Sequence, residues 1–346
     1  MDKLKVVSIG GFGHSVFVFD DMMGMDEAMI CGLAPAYAGE DISFFTDHAL
    51  CVDAPRFATY QEMLTKIKPD VAIISTRLDC IADVTIAAAE AGCHLICEKP
   101  LALKNDKLQA LHQVIEKTGV NICAMLSMRS EPQFIAAQKC YQSGAIGEAV
   151  IINSRKSYKW GARPEWFSNM DTYGGTIGWI GVHALDFINY ITGLTFTSVS
   201  AMGKNFSHPE RKDCDDNCCM ILEMNNGGHA TVSVDLFRPA SSVTHGDDWI
   251  RIVGTKGIIE ASGATVTCTK HVDSDTPINI ELEAKPKIFR TFLLSLINNT
   301  PSELNAFDAF MLTDACHCGQ QSLARGEKIS INSEKWISKG KAIING

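Results

Sequence analysis

Basic residues are in deficit in this chain: 31 lysines and arginines face 40 aspartates and glutamates, for a formal charge of −9. Binding to a phosphate backbone calls for clustered Lys and Arg, so no nucleic-acid partner is expected. The densest basic stretch, Arg155-Lys156 with Lys159, is short and mixed with aromatic residues. No apolar run approaches the roughly 18 residues of a membrane span, which argues against a membrane partner. Met1-Asp2-Lys3-Leu4-Lys5 leads straight into a strand pattern, so no signal peptide is expected. Paired C-x2-C units are also missing among the 13 cysteines. Cys214, Cys218, Cys219 and the run Cys316-His317-Cys318 fit no zinc spacing, so no metal is expected. An odd number of scattered cysteines points to free thiols and hence to a cytoplasmic location. Internal repeats and low-complexity linkers do not occur. What is present is ordinary globular composition, 46% hydrophobic and 21% charged. A length of 346 residues suggests two domains at about 150 residues each.

The first third alternates short apolar runs with helical patterns. Lys5–Gly10, Ala28–Leu33, Val71–Ser75, His94–Cys97 and Val120–Met125 read as buried strands. Helical patterns follow the first turn and cover Tyr60–Ile67, Asp79–Ala91 and Lys104–Thr118. Buried strands alternating with helices imply a parallel sheet with right-handed crossovers. After residue 125 the rhythm changes. Ser130 and Pro132 open one more helix, and strand patterns then follow in succession from Ala149 to Thr269. Asn225-Asn226-Gly227-Gly228 is a hairpin signal between two of them. Two helices, near Lys287–Asn298 and Leu304–Ala324, close the chain. The expected architecture is α/β: a Rossmann domain over residues 1–125, then an α+β domain over 126–346 built on an open, largely antiparallel sheet.

Gly11-Phe12-Gly13 follows the first strand and opens the first helix, with His14 next. Glycines there let the backbone turn sharply and approach a pyrophosphate, which the helix N-terminus stabilises. The third glycine of G-x-G-x-x-G is replaced by Val16, and the acid expected at the end of the second strand is missing; Glu40 and Asp41 come only later. A second motif is Glu98-Lys99-Pro100, which puts a lysine at the carboxyl end of the fourth strand, where parallel sheets bind ligands. A third is the stretch from Gly174-Gly175 to Trp179, His183 and Asp186.

With these motifs in this order the sequence resembles the glucose–fructose oxidoreductase / inositol dehydrogenase (Gfo/Idh/MocA) family. The resemblance implies a nicotinamide cofactor, NAD with NADP left open, held by Gly11, Phe12, Gly13, His14, Thr76 and Glu98. It implies a carbohydrate or polyol substrate, with Lys99 as the catalytic lysine and His183 meeting the reacting hydroxyl. It also implies a homo-oligomer, a dimer or tetramer, formed through the open sheet. Two positions depart from the family: Trp179 stands where an aspartate is usual, and Thr76-Arg77-Leu78 replaces Thr-Pro-Asn.

The chemistry follows from the residue types. Oxidising an alcohol needs a hydride acceptor and a base for the proton. Lysine serves as base once a dry pocket and a neighbouring cation disfavour its charged form, and histidine shares or orients the proton near neutrality. Trp179, His183 and Asp186 stand at i, i+4 and i+7 of an expected helix, on one face. The aromatic and cationic segment from Lys156 to Trp166 suits a sugar pocket, with Lys156, Tyr158, Arg163, Trp179 and Asp186 as substrate-binding candidates. The reaction expected is hydride transfer between NAD(P) and a ring hydroxyl of a sugar, inositol or glycoside, C3 of a glycoside included. Two other classes stay open at this stage: a nucleotide-binding regulatory protein without turnover, and a lyase or glycosidase that retains NAD with no net redox change.

Overall fold

The computed structural model describes residues 3–211, 214–271 and 277–337. Helices and strands, in chain order, are β1 Leu4–Ile9, α1 Ser15–Met22, β2 Ala28–Ala34, α2 Tyr60–Ile67, β3 Val71–Ile74, α3 Ile81–Glu90, β4 His94–Cys97, α4 Asn105–Thr118 and β5 Ile122–Ala124. There follow α5 Pro132–Gln142, β6 Ala149–Lys159, α6 Val182–Thr192, β7 Phe196–Lys204, β8 Asn217–Met224, β9 His229–Arg238, β10 Gly246–Gly254, β11 Gly257–Ser262, β12 Thr265–Lys270, β13 Ile278–Asn279, α7 Ile288–Asn298, α8 Ala306–Arg325 and β14 Ile329–Ser330. They form two compact units. One holds Met1–Met125, Lys287–Thr313 and Trp336–Gly346; the other holds Leu126–Pro286 and Asp314–Lys335.

The first unit is a five-stranded sheet in the order β2-β1-β3-β4-β5, every pairing parallel. Its strands are almost wholly apolar because both faces are covered, as parallel sheets require. Val6, Ile73, Ile96 and Cys123 share one core cluster with Val18 and Phe19 of α1. Phe289, Phe292 and Leu293 of α7 belong to that cluster as well. Here the structure divides the chain differently from a single cut after residue 125. The apolar stripe of α7 is buried in the first unit's core, so the chain returns there after the second sheet.

The second unit is a nine-stranded sheet, β13-β12-β11-β10-β6-β9-β8-β7-β14. All its pairings are antiparallel except β6 with β9, which run parallel. The Asn225–Gly228 turn does join an antiparallel pair, with Gly227 at φ +84°. Burial alternates along the strands: Ala230, Val232 and Val234 are buried, and their neighbours are not. α5 and α6 lie on the buried face, where Phe134 stacks on Phe187 with ring centroids 4.1 Å apart. On the opposite face Ile151, Met202, Ile221 and Phe237 are exposed.

Candidate active site

The carboxyl ends of the first unit's strands carry its polar groups. β1 lies between β2 and β3, so the chain leaves it to one side and returns on the other, which opens the crevice where such sheets bind nucleotides. The glycine turn sits at that point. Phe12 N–H donates to the Ser75 carbonyl at 3.1 Å, and the Ser75 hydroxyl returns a bond to the Phe12 carbonyl at 2.7 Å. Gly13 holds φ +114°, and a Cβ there would stand 2.3 Å from Glu98 Oε2 and 2.6 Å from Ser75 Oγ. Only glycine satisfies both the dihedral and the space. The residues present therefore fit a dinucleotide: a side-chain-free turn leads into an eight-residue helix whose N-terminus favours a pyrophosphate. Gly11, Phe12, Gly13, His14 and Thr76 would hold it.

The acid that the sequence seems to lack after β2 is present in space. The chain after Ala34 folds back and brings Glu40 to the strand ends. Its carboxylate accepts from Ala36 N–H at 2.6 Å, Gly11 N–H at 3.2 Å and the Thr76 hydroxyl at 2.5 Å. Beside it Arg77, in place of the usual proline, is bound by both oxygens of Asp79 at 2.6 and 2.9 Å and lies over the Tyr37 ring.

Glu98 is fully buried at the end of β4. It accepts from His14 N–H at 2.7 Å and Lys99 N–H at 3.0 Å, and His14 Nδ1 lies 2.8 and 2.9 Å from its two oxygens. Burial alone would push the carboxyl up, but the charge and hydrogen bonds of His14, with Lys99 beside it, outweigh burial and hold it below its ordinary range. Lys99 is 1% exposed, with Nζ 3.9 Å from Glu98 Oε1. A buried amine beside a buried carboxylate can exchange protons rather than serve as a solvated charge.

In the second unit His183 is buried near the start of α6. The run before it, Ile177–Gly181, forms a π-helical turn, not the α-helix that the spacing of Trp179, His183 and Asp186 implies. Such turns carry an extra residue, which rotates the side chains before the turn relative to those after it. Trp179 is 6% exposed, with its ring edge-on to Phe167 at 5.5 Å. Asp186 is wholly buried and binds Arg129, whose Nε and Nη2 donate to Oδ1 at 2.8 and 2.6 Å. Arg129 Nη2 also reaches Asn189 Oδ1 at 3.2 Å.

Lys156, 1% exposed, donates to Asp248 Oδ1 at 2.6 Å and lies 4.8 Å from the Tyr158 ring centre. Burial would lower this amine, yet Tyr158 and Asp248 hold it above its ordinary value. These three line a cavity of about 680 Å³ together with Arg238, Thr244 and Glu131. Its walls offer both donors and acceptors, which suits a polyhydroxylated ring. Arg163 is not among that cavity's lining residues. Its Nη2 donates to the Lys159 carbonyl at 3.1 Å, its guanidinium lies over Phe167, and burial lowers its pKa. Glu40, Ser75, Arg129 and Asp248 were missed from sequence. Each acts through a partner 29 or more residues away, and no local spacing signals that.

A parallel sheet with this glycine turn, followed by a mixed sheet carrying a buried histidine helix, defines an NAD-binding oxidoreductase. Residues 39–125 match the model described as an oxidoreductase family with an NAD-binding Rossmann fold, and residues 134–260 match the Gfo/Idh/MocA C-terminal domain. A solved structure of an oxidoreductase from Thermotoga maritima is 31% identical, with a TM-score of 0.90 over 95% of this chain and 100% of that one. Levoglucosan dehydrogenase from Pseudarthrobacter phenanthrenivorans is 31% identical over 39% of this chain, and the match spans 36% of that protein's length. Inositol 2-dehydrogenase from Rhizobium meliloti is 25% identical over 69% of each chain. The chain belongs to the Gfo/Idh/MocA family of oxidoreductases.

Proposed function

We propose that the protein oxidises a ring hydroxyl of a sugar, inositol or glycoside with NAD, or reduces the matching ketone. The observation that carries this reading is the buried Lys99 next to Glu98, at the strand ends that also hold the glycine turn. When bound, the nicotinamide supplies the hydride acceptor. Lys99 takes the hydroxyl proton at Nζ, and His183 orients or shares it. Lys156, Tyr158 and Asp248 bind other hydroxyls, while Asp186, tied to Arg129, fixes the helix that carries His183. The relatives named for levoglucosan and inositol act on neutral polyhydroxylated rings, and the mixed donors and acceptors around Lys156 support the same substrate class here.

Glu40 argues for NAD over NADP, because a carboxylate at the end of β2 favours a ribose hydroxyl and repels a 2′-phosphate. The exposed Ile151, Met202, Ile221 and Phe237 support a homo-oligomer through the second sheet. Among the described residues no helix is long and apolar enough to cross a membrane. Free cysteines spread along the chain support a cytoplasmic location. The test is a panel of sugars, inositols and glycosides mixed with NAD and followed by NADH absorbance. NADH formed in proportion to enzyme and substrate supports the proposal. Absence of NADH across the panel, together with no ketone reduction in reverse, refutes it.

A further inference from the structure

Three titratable groups of the first unit stand in a row that runs from buried to wet. The Lys99 side chain is 1% exposed, Glu98 is 0% exposed, and His14 is 20% exposed. Glu98 touches both of the others, with Oε1 3.9 Å from Lys99 Nζ and 2.9 Å from His14 Nδ1. We propose that His14 is the outer station of a proton path leading from the Lys99 amine, through the Glu98 carboxylate, to solvent. This rests on the dehydrogenase reading given above and adds to it a route for the proton that each oxidation releases.

Oxidation would pass a hydride from the carbon that bears the hydroxyl to the nicotinamide, while the hydroxyl gives its proton to the neutral Lys99 amine, which becomes an ammonium. To serve again, the ammonium must lose one N–H proton, and a nearly unexposed amine cannot hand it directly to bulk water. Glu98 Oε1 is an acceptor within reach; the 3.9 Å separation closes by a small side-chain shift or by one bridging water. Protonated Glu98 then gives its proton to Nδ1 of His14 in the tautomer that carries hydrogen on Nε2. Release of the Nε2 proton to a solvent base restores the starting charges and leaves hydrogen on Nδ1; exchange through solvent that returns hydrogen to Nε2 readies the ring for the next turnover. An imidazole suits the last place because it can accept a proton at one ring nitrogen and release one from the other. Among the described residues the titratable groups beside Glu98 are His14 at the head of α1 and Lys99 on its own loop, while the Cys97 thiol one residue earlier meets the Thr85 hydroxyl. On the helical run that carries His183, the residue four positions earlier is Trp179, which has no group that titrates near neutrality.

The first test is kinetic. His14→Gln keeps a donor to Glu98 but does not titrate. Alcohol oxidation by this variant should fall by about 10- to 100-fold, within the range of positioned proton-transfer groups. Added imidazole should restore most of it at NAD concentrations that saturate the variant. Turnover near the wild-type rate overturns the proposal. So does a loss that imidazole leaves untouched, because a merely structural role would behave that way.

The second test needs no cofactor. In the free protein the His14 imidazole titration, followed by NMR, should move up in Lys99→Met, which removes a nearby cation. It should move down in Glu98→Gln, which removes a nearby anion. Where wild type turns over a substrate, the kinetics decide. Where it turns over none, the dehydrogenase reading fails by itself, and a His14 titration indifferent to both substitutions overturns the path separately.

Discussion

Arg129 and Asp186 form a buried ion pair, with the guanidinium donating from Nε and Nη2 to one carboxylate oxygen and each side chain less than 5% exposed. It ties the segment after β5 to the middle of α6, three residues beyond His183. The pair therefore sets where the helix stands, and only through that what the histidine meets.

That relationship yields a stability prediction. Removing one partner of a buried pair strands the other charge in a dry site, at a cost of about 3–5 kcal/mol. Asp186→Ala should lower stability by that amount in urea denaturation, and Arg129→Met by a similar amount. The double variant should cost clearly less than the sum, because no stranded charge remains. Strict additivity would show that the two residues act independently and that Asp186 serves elsewhere, for instance at the substrate.

Lys99 gives the second prediction. Lys99→Ala should bind NADH within a few-fold of wild type by calorimetry but lose about 10²–10⁴ in turnover. A variant within a few-fold of wild type in kcat would remove Lys99 from the proton transfer.

Much of this arrangement was legible in the sequence where the signal is local. The alternation of apolar strands and helices is written into consecutive residues, and so is the Glu98-Lys99-Pro100 end of β4. What escaped reading depends on distant partners. Glu40 reaches Gly11 across 29 positions because a loop folds back, so the missing acid was missing only in one dimension. Asp186 finds Arg129 across 57 positions. The apolar stripe of α7 says that the helix is buried, but not that it belongs to the first core. The π-helical turn before α6 looks in sequence like the start of that helix, since Gly178 and Gly181 leave an α pattern intact while lowering its preference.

Glu40 carries the third prediction. Glu40→Gln removes the charge but keeps the shape, so it should narrow the preference for NAD over NADP, mainly by improving the KM for NADP. Its bonds to Ala36 and Gly11 also hold the loop, and thermal stability should fall modestly with it. An unchanged NAD/NADP ratio of kcat/KM would place the carboxylate outside the ribose site.

The pH dependence of stability follows from two histidines. Burial depresses the pKa of His94, whose Nδ1 accepts Asn121 N–H at 2.9 Å. Burial, then the positive charges of Arg163 and Lys156, depress that of His245. For a depressed group the folded state binds fewer protons than the unfolded one. Its contribution is therefore complete above the ordinary histidine value near 6.5 and is lost as pH falls through the lower folded value. The melting temperature should thus decline from about pH 6.5 to about pH 5, before carboxylates titrate. His94→Gln should flatten part of that decline. A flat wild-type profile over this range would contradict the assignment.

Trp179 provides the sharpest choice between packing and binding. From sequence its ring is a candidate floor for the sugar. In the structure it is 6% exposed and stands edge-on to Phe167. Phe167 in turn stacks on Trp166 at 4.2 Å and tilts against Tyr173 at 4.5 Å. Edge-to-face and offset pairs of this kind add to the stabilisation from burial itself. A ring so enclosed has little face left for a ligand, and its removal opens a cavity that the π-helical turn cannot readily collapse. Trp179→Ala should therefore cost about 3–5 kcal/mol of stability, with KM for the sugar changed less than about threefold in the fraction that folds. Trp179→Phe keeps an aromatic edge and should cost much less. Trp179→Asp should be worse than alanine, because it adds an unpaired carboxylate to the same buried site. Denaturation curves and substrate kinetics on the three variants decide the matter. A clear rise in KM at unchanged stability would return the ring to the substrate site, and a gain in turnover for Trp179→Asp would show that the position tolerates a carboxylate beside His183.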